Sequence, residues 1–290
     1  MQNLSKIILI TGTSSGFGKL LAIALANEGH SIIAAMRNAG TKNALVAQEL
    51  GALTNVEVVE MDVTNTDSVN TAIEKILKKY GQIDILINNA GISGMGLFEA
   101  TSVERMKNIF EVNVWGAVRG IQAVLPSMRK QKKGLVINIS STSGILSIPY
   151  VSAYCGSKFA LEGMIESLQY EVKKFGIETI NILPGPFPTD VGSKTGQGSD
   201  LPKIVEAYGE EEAYLLNEFG RIYNKKMLEN KSDSQEVVDA VKNLIEMEDG
   251  TRPAQTVVNR MAGGLEQEYV DAKISAKRDY MTRMGYPAYL

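Results

Sequence analysis

The chain has 290 residues, 44% of them hydrophobic and 22% charged, with a formal net charge of −3. It carries one histidine, His30, and one cysteine, Cys155, which rules out an intrachain disulfide, zinc sites built from several Cys and His ligands, and any histidine-dependent triad that does not use His30. The charge balance offers no basic face for nucleic acid, and no apolar run approaches the roughly 18–20 residues of a membrane span.

The chain opens on the apolar run 7–11 (IILIT), too short for a signal-peptide core, and a cytoplasmic protein is expected. Helical spacing follows at 17–28, then a second apolar run at 31–36 (SIIAAM) and a helix near 41–50. The pattern repeats with a run at 56–60 and a helix at 66–80, then a run at 84–88 and a long helical stretch at 102–129. The basic cluster Arg129, Lys130, Lys132 and Lys133 closes that stretch, where cations suit the negative end of the helix dipole. Further runs stand at 135–140, 177–183 and 255–259, with helices at 152–174 and 234–248. Asp233 and Glu236 read as a capping box for the last of these. The runs are apolar enough for strands buried on both faces, and sustained strand–helix alternation predicts an α/β, doubly wound parallel sheet of about seven strands with helices on both faces. The expectation is one domain over 1–290, with a lid insertion at 186–233 and a C-terminal extension at 260–290. His30 reads as a surface turn residue and Trp115 as packing.

The first run enters Thr11-Gly12-Thr13-Ser14-Ser15-Gly16-Phe17-Gly18. A glycine-rich turn from strand into helix lets backbone approach a phosphate where helix N–H groups and the dipole favour an anion. The spacing is neither G-x-G-x-x-G nor a P-loop, but its place in a first βαβ unit favours a dinucleotide. An acidic residue about 20 residues on would hold the ribose hydroxyls of NAD. Here that distance reaches Met36 and Arg37, with no Asp or Glu between Ser31 and Gln48. Arginine binds a 2′-phosphate and a carboxylate repels it, so NADP(H) is expected over NAD(H), with Arg37 as determinant.

Tyr154 and Lys158 stand four residues apart, on one face of a helix. A tyrosine with pKa of about 10 is a poor base near neutrality, and a cation about 4 Å away supplies much of the preference for phenolate that it needs. Lys158 is expected to lower the Tyr154 pKa. Upstream, Asn138-Ile139-Ser140-Ser141 ends a buried strand on the edge that carries the glycine turn.

With these pieces in order, the chain resembles the short-chain dehydrogenase/reductase family in its compact single-domain branch. The matching residues are 11–18 (TGTSSGFG), Asp62-Val63, Asn88-Asn89-Ala90-Gly91, Asn113, Ser141, Tyr154-x-x-x-Lys158, Pro184-Gly185 and Thr189. They cover residues 6–190, and the stretch after Tyr154 is also similar to members acting on steroids and retinoids. The resemblance implies a Rossmann-like fold. It places Gly12, Ser14, Ser15, Gly16, Phe17 and Gly18 around the pyrophosphate and Asp62 and Val63 at the adenine. Asn89, Ala90 and Gly91 would border the adenosine ribose, with Pro184, Gly185 and Thr189 near the nicotinamide. Tyr154 would donate or accept the proton, Lys158 would bind the nicotinamide ribose and tune Tyr154, Ser141 would hydrogen-bond the substrate oxygen, and Asn113 would support a proton relay through water. No metal is implied.

The expected activity is NADP(H)-dependent hydride transfer at a carbonyl or secondary alcohol. The substrate is expected to be small and apolar, with Phe187, Val191, Leu201, Ile204, Val205, Tyr208 and Tyr214 as candidate pocket residues. A catalytically silent NADP(H)-binding regulatory protein and a 3-oxoacyl-thioester reductase are the alternatives. A homodimer or homotetramer is expected from the long helices.

Overall fold

The computed structural model describes residues 5–188 and 199–286. The strands are β1 (Ile7–Thr11), β2 (Ser31–Met36), β3 (Val56–Glu60), β4 (Ile85–Asn88), β5 (Gly134–Ile139), β6 (Ile177–Pro184) and β7 (Gln255–Val258). They form one seven-stranded sheet in the order β3-β2-β1-β4-β5-β6-β7, and every neighbouring pair is parallel. The chain winds outward from β1 in both directions, so the order reverses between β1 and β4. A crevice opens outside the carboxyl ends of the strands at such a reversal.

The helices are α1 (Gly16–Asn27), α2 (Ala44–Gly51), α3 (Thr66–Tyr80), α4 (Val103–Phe110), α5 (Gly116–Gln131), α6 (Ser152–Val172), α7 (Pro202–Glu229), α8 (Gln235–Glu246) and α9 (Leu265–Arg283). Period-2 alternation along the strands divides the core in two. Ile8, Ile10, Ile32 and Ile137 pack against Leu21, Leu25, Leu50 and Val241 from α1, α2 and α8. Leu9, Ile33, Leu86 and Val136 pack against Val69, Ile73, Ile121, Val124 and Leu161 from α3, α5 and α6. Each such fully buried aliphatic side chain contributes about 1.5–3 kcal/mol through burial.

The long stretch 102–129 divides. A π-helical turn, Glu111–Trp115, separates α4 from α5. Its widened turn directs Asn113 inward, to 2% exposure, while Trp115 is 43% exposed rather than packed. His30 is also not a surface residue: it is 3% exposed, and its Nδ1 accepts from the Lys6 N–H at 3.4 Å. Only half of the expected capping box forms: Glu236 accepts from Asp233 N–H at 3.4 Å, whereas the Asp233 side chain accepts from Gln235 N–H instead of Glu236 N–H, because α8 starts one residue later, after Ser234. α7 bends at Gly209, whose φ of 80° breaks the helical backbone, and α9 docks through Val270 on Ile145 and Leu183.

Candidate active site

A cavity of about 1040 Å³ runs along the carboxyl edge of the sheet. The residue that follows each strand, or its close neighbour, lines it: Gly12 after β1, Arg37 after β2, Asp62 after β3, Asn89 after β4, Ser140 after β5, Gly185 after β6 and Asn259 after β7. Of the expected cofactor residues, Gly12, Ser14, Ser15, Gly16, Phe17, Arg37, Asp62, Val63, Asn89, Ala90, Gly91, Pro184 and Gly185 all border this cavity. Thr189 and Val191 lie outside the described residues.

The glycine turn is built for close approach. Gly12 has φ +71°, and a Cβ there would stand 2.8 Å from Ala90 Cα. Gly16 has φ +53°, a left-handed conformation that glycine adopts without steric cost. Gly18 does not border the cavity: a Cβ on it would collide with Asn89 Nδ2 and lie 2.6 Å from the Gly12 oxygen. It therefore serves to seat α1 under the turn. Asn89 ties the turn to β4, donating from Nδ2 to the Thr11 oxygen at 2.9 Å and the Gly12 oxygen at 3.2 Å. The Thr11 hydroxyl in turn accepts from Asn89 N–H and Ala90 N–H. An open glycine turn at a helix start, with a long polar-edged cavity beyond it, fits a bound dinucleotide.

At the far end of the cavity stand Ser141, Tyr154 and Lys158. Ser141 opens the 3-10 turn Thr142–Gly144 and accepts from Ser143 N–H at 3.1 Å. Tyr154 and Lys158 sit in the first two turns of α6. Lys158 is 5% exposed, donates to the Ile139 oxygen at 2.9 Å, and has Nζ 5.7 Å from the centre of the Tyr154 ring. Burial pushes the Tyr154 phenol up, opposed by a hydrogen bond with Ser141. Burial likewise pushes the Lys158 ammonium down to about 8, opposed by the charge of Glu162. Desolvation of the phenol is the largest influence on Tyr154 here.

Asn113 does not line the cavity. Its Oδ1 accepts from Ile92 N–H at 2.8 Å, and its Nδ2 donates to the Ile92 oxygen and to Ser157 Oγ at 2.9 and 3.0 Å. Ser157 Oγ donates onward to the Tyr154 backbone carbonyl. The side chain thus braces the loop after β4 against α6.

The apolar end of the cavity differs from the expected one. Phe187 lines it, with its ring edge-on to Phe17 at 5.7 Å. Leu201, Ile204, Val205, Tyr208 and Tyr214 do not; Tyr214 is 65% exposed, and Tyr208 donates to Glu99. The wall comes from the next turns of α7, through Leu216, Phe219, Tyr223 and Met227, facing Leu146, Ile148 and Val151. The Phe219 and Tyr223 rings stack at 6.3 Å, and Tyr150 meets Phe219 edge-on at 5.6 Å. α7 bends at Gly209, ahead of these residues, and linear spacing carries no sign of it. Asn259 and Glu266, joined by a 2.6 Å hydrogen bond, also line the cavity. The close approach of Gly185 to Asn259, where a Cβ would collide with Asn259 Cγ, was not legible in sequence.

Among the described residues no group of His, Cys, Asp and Glu could hold a metal ion, and no helix is long and apolar enough to cross a membrane.

The family model for short chain dehydrogenases matches residues 6–200. A 3-ketodihydrosphingosine reductase from Bacteroides thetaiotaomicron is 40% identical over 201 residues, 67% of this chain and 71% of that protein. Human retinol dehydrogenase 8 is 33% identical over 252 residues, 86% of this chain and 79% of that protein. A short-chain dehydrogenase from Streptomyces avermitilis superposes with a TM-score of 0.75 at 29% identity, covering 97% of this chain and 98% of its own. A gluconate 5-dehydrogenase from Burkholderia cenocepacia, solved with NADP and tartrate, superposes with a TM-score of 0.61 at 29% identity over 66% of this chain and 75% of its own. With the family model matching residues 6–200 and the doubly wound sheet in place, the chain belongs to the short-chain dehydrogenase family, a family of oxidoreductases.

Proposed function

We propose that this protein is an NADP(H)-dependent oxidoreductase that interconverts a carbonyl and a secondary alcohol on an apolar substrate. The observation that carries the reading is that Ser141, Tyr154 and Lys158 meet at one end of a cavity whose other end is the glycine turn and Arg37. The bound nicotinamide supplies or accepts the hydride. The chain's own part is to stabilise charge and move a proton. Tyr154, kept protonated by burial, donates its phenolic proton to the substrate oxygen as negative charge grows there, and Ser141 donates a second hydrogen bond to that oxygen. Lys158 holds a positive charge beside the phenol and is assigned to the nicotinamide ribose. Asn113 braces the loop behind it.

Arg37, exposed and on the cavity wall, supports NADP(H) over NAD(H). The similar gluconate 5-dehydrogenase was solved with NADP. An apolar substrate is supported by the aromatic and aliphatic end of the cavity. Among the similar proteins are ones named for 3-ketodihydrosphingosine and for retinol. Residues 186–233 are assigned as the lid, since α7 forms that wall, and 260–290 as an extension that closes its far side. Exposed Trp115, Phe159 and Met164 suit helix pairing in a homodimer or homotetramer, and a cytoplasmic setting completes the reading.

The test is NADPH oxidation against ketones, aldehydes, steroids and acyl thioesters, with NADH in parallel and Tyr154→Phe as control. Turnover on apolar ketones that disappears in Tyr154→Phe is expected. Tight NADPH binding with no turnover on any substrate would favour a silent binding protein. Activity confined to thioesters would favour a 3-oxoacyl-thioester reductase, although the basic residues lining the cavity, among those described, are only Arg37, Lys158 and Lys226.

A further inference from the structure

Beneath the catalytic edge runs a row of buried amide side chains that the reaction does not use. The sheet register sets Asn88 beside Asn138, Asn138 beside Asn181, and Asn181 beside Gln255, and all four are buried. Asn88 Nδ2 donates to Asn138 Oδ1 at 2.9 Å, and Asn138 Nδ2 donates to Asn181 Oδ1 at 3.1 Å. At the end of the row Gln255 Nε2 donates to Glu162 Oε2. The hydrogen-bonded amides Asn88, Asn138 and Asn181 thus lie beside the Gln255–Glu162 pair in a buried interior. Ser140 lies two residues beyond Asn138, on the same face of the sheet, and its Oγ and Glu162 Oε1 are both buried without a hydrogen-bond partner.

Glu162 is 3% exposed. It stands on α6 one turn past Lys158 and two past Tyr154, on the same side of the helix. The 3-10 turn carrying Thr142 and Ser143 leans on this stretch of α6: a Cβ at Gly144 would lie 3.0 Å from Glu162 Cγ and 3.1 Å from the Lys158 oxygen. Leu161 and Ile165 already hold α6 to the sheet by apolar contact, so a buried carboxyl is not required for docking. A buried ammonium does require compensation, because an uncompensated charge in the interior is costly. In low dielectric a carboxylate one helix turn away compensates without touching.

We propose that Glu162 is a positioning residue for Lys158: anchored by Gln255, its carboxyl is the interior counter-charge that keeps Lys158 an ammonium in place over Tyr154. The proposal rests on the reading of Lys158 as part of the reducing site. Burial outweighs the opposing pull of Ser140, Gln255, Asn181 and the charge of Lys273 on α9, so the Glu162 carboxyl lies above the ordinary carboxylate value. Lys158 faces Glu162, the Tyr154 ring and the Ile139 carbonyl.

The test is direct titration of Lys158 by NMR in protein carrying 13C at lysine Cε, its resonance identified as the one lost in Lys158→Arg. Glu162→Gln is expected to lower the Lys158 midpoint by about one unit, whereas Glu162→Asp, which keeps the charge, leaves it near the native value. A folded Glu162→Gln protein with an unmoved midpoint overturns the proposal, however much its melting temperature falls. Should Glu162→Gln fail to fold, Gln255→Leu removes a donor from the carboxyl without altering α6. The Lys158 midpoint is expected to fall there too, and an unmoved one overturns the proposal. The titration needs neither substrate nor cofactor, so its outcome stands apart from whether the protein reduces ketones with NADPH.

Discussion

The Asn89 side-chain amide donates to the Gly12 carbonyl at 3.2 Å, so the phosphate-facing turn after β1 is fastened to the end of β4 across the point where the strand order reverses. Gly18 makes this possible, because any Cβ there would occupy the space of Asn89 Nδ2. Gly18→Ala is therefore expected to push Asn89 away and to loosen the turn. Overpacking of this kind costs about 1–3 kcal/mol. Urea denaturation should show that loss, and NADPH titration should show weaker binding. Native values for both would mean that the amide and the turn are not coupled.

This arrangement also shows how far sequence could go. The seven runs were recognisable because two-sided burial demands continuous Ile, Val and Leu in strands such as Ile85–Asn88. The glycine turn and the Tyr154–Lys158 pair were legible because each depends on local spacing. The different duties of Gly12 and Gly18 were not, since they depend on Ala90 and Asn89, more than 70 residues away. The same reason hid His30, buried beside Lys6, and the wall of the cavity formed by Leu216, Phe219, Tyr223 and Met227. The π-helical turn that aims Asn113 at Ile92 leaves no mark in helical periodicity, because its flanks are helical as well.

The ammonium of Lys158 gives a pH limb with a defined sign. Its pKa is lowered from 10.5 to about 8 by burial, so the charge is present below that pH and lost as pH rises through it. The Tyr154 phenol, pushed up by burial, keeps its proton across the same range. kcat/KM for carbonyl reduction reports groups of the free enzyme. It should be level in the neutral range and fall about tenfold per unit above the Lys158 pKa. Lys158→Arg, always protonated, should lower the plateau and remove this limb. A limb that stays in Lys158→Arg would assign it to another group.

Arg37 is exposed on the cavity wall beyond β2, and its carbonyl is held by Asn43 Nδ2 at 2.7 Å. An acidic group does stand nearby: Glu60 from the adjacent β3 accepts from Asn38 N–H and Ala39 N–H, both at 2.7 Å. Those bonds occupy the carboxyl and turn it to the backbone, leaving Arg37 free to meet a 2′-phosphate. Arg37→Ala is expected to weaken NADPH binding by about tenfold or more, the scale of one charge-assisted pair, with NADH binding little changed. Equal losses for both cofactors, or none for NADPH, would refute Arg37 as the determinant.

Tyr223 sets the last expectation, because it stands where the aromatic wall of α7 meets the reacting end of the cavity. Burial and the neighbouring Tyr154 push its phenol up to about 12, so it stays neutral at any working pH. Its ring stacks on Phe219 at 6.3 Å, and Phe219 is held in turn by Tyr150. The Tyr150 backbone is left-handed, with φ 63°, and its carbonyl accepts from Gly96 N–H at 2.7 Å. The wall is thus fixed from the loop before α6 rather than from α7 alone. If it binds substrate through apolar area, Tyr223→Phe should leave kcat/KM for apolar ketones within about threefold of native. Tyr223→Ala should lower it by about 10–200-fold, the range that lost apolar contact in a pocket commands. A large loss in Tyr223→Phe would show instead that the hydroxyl itself, beside Tyr154, takes part in holding the substrate oxygen.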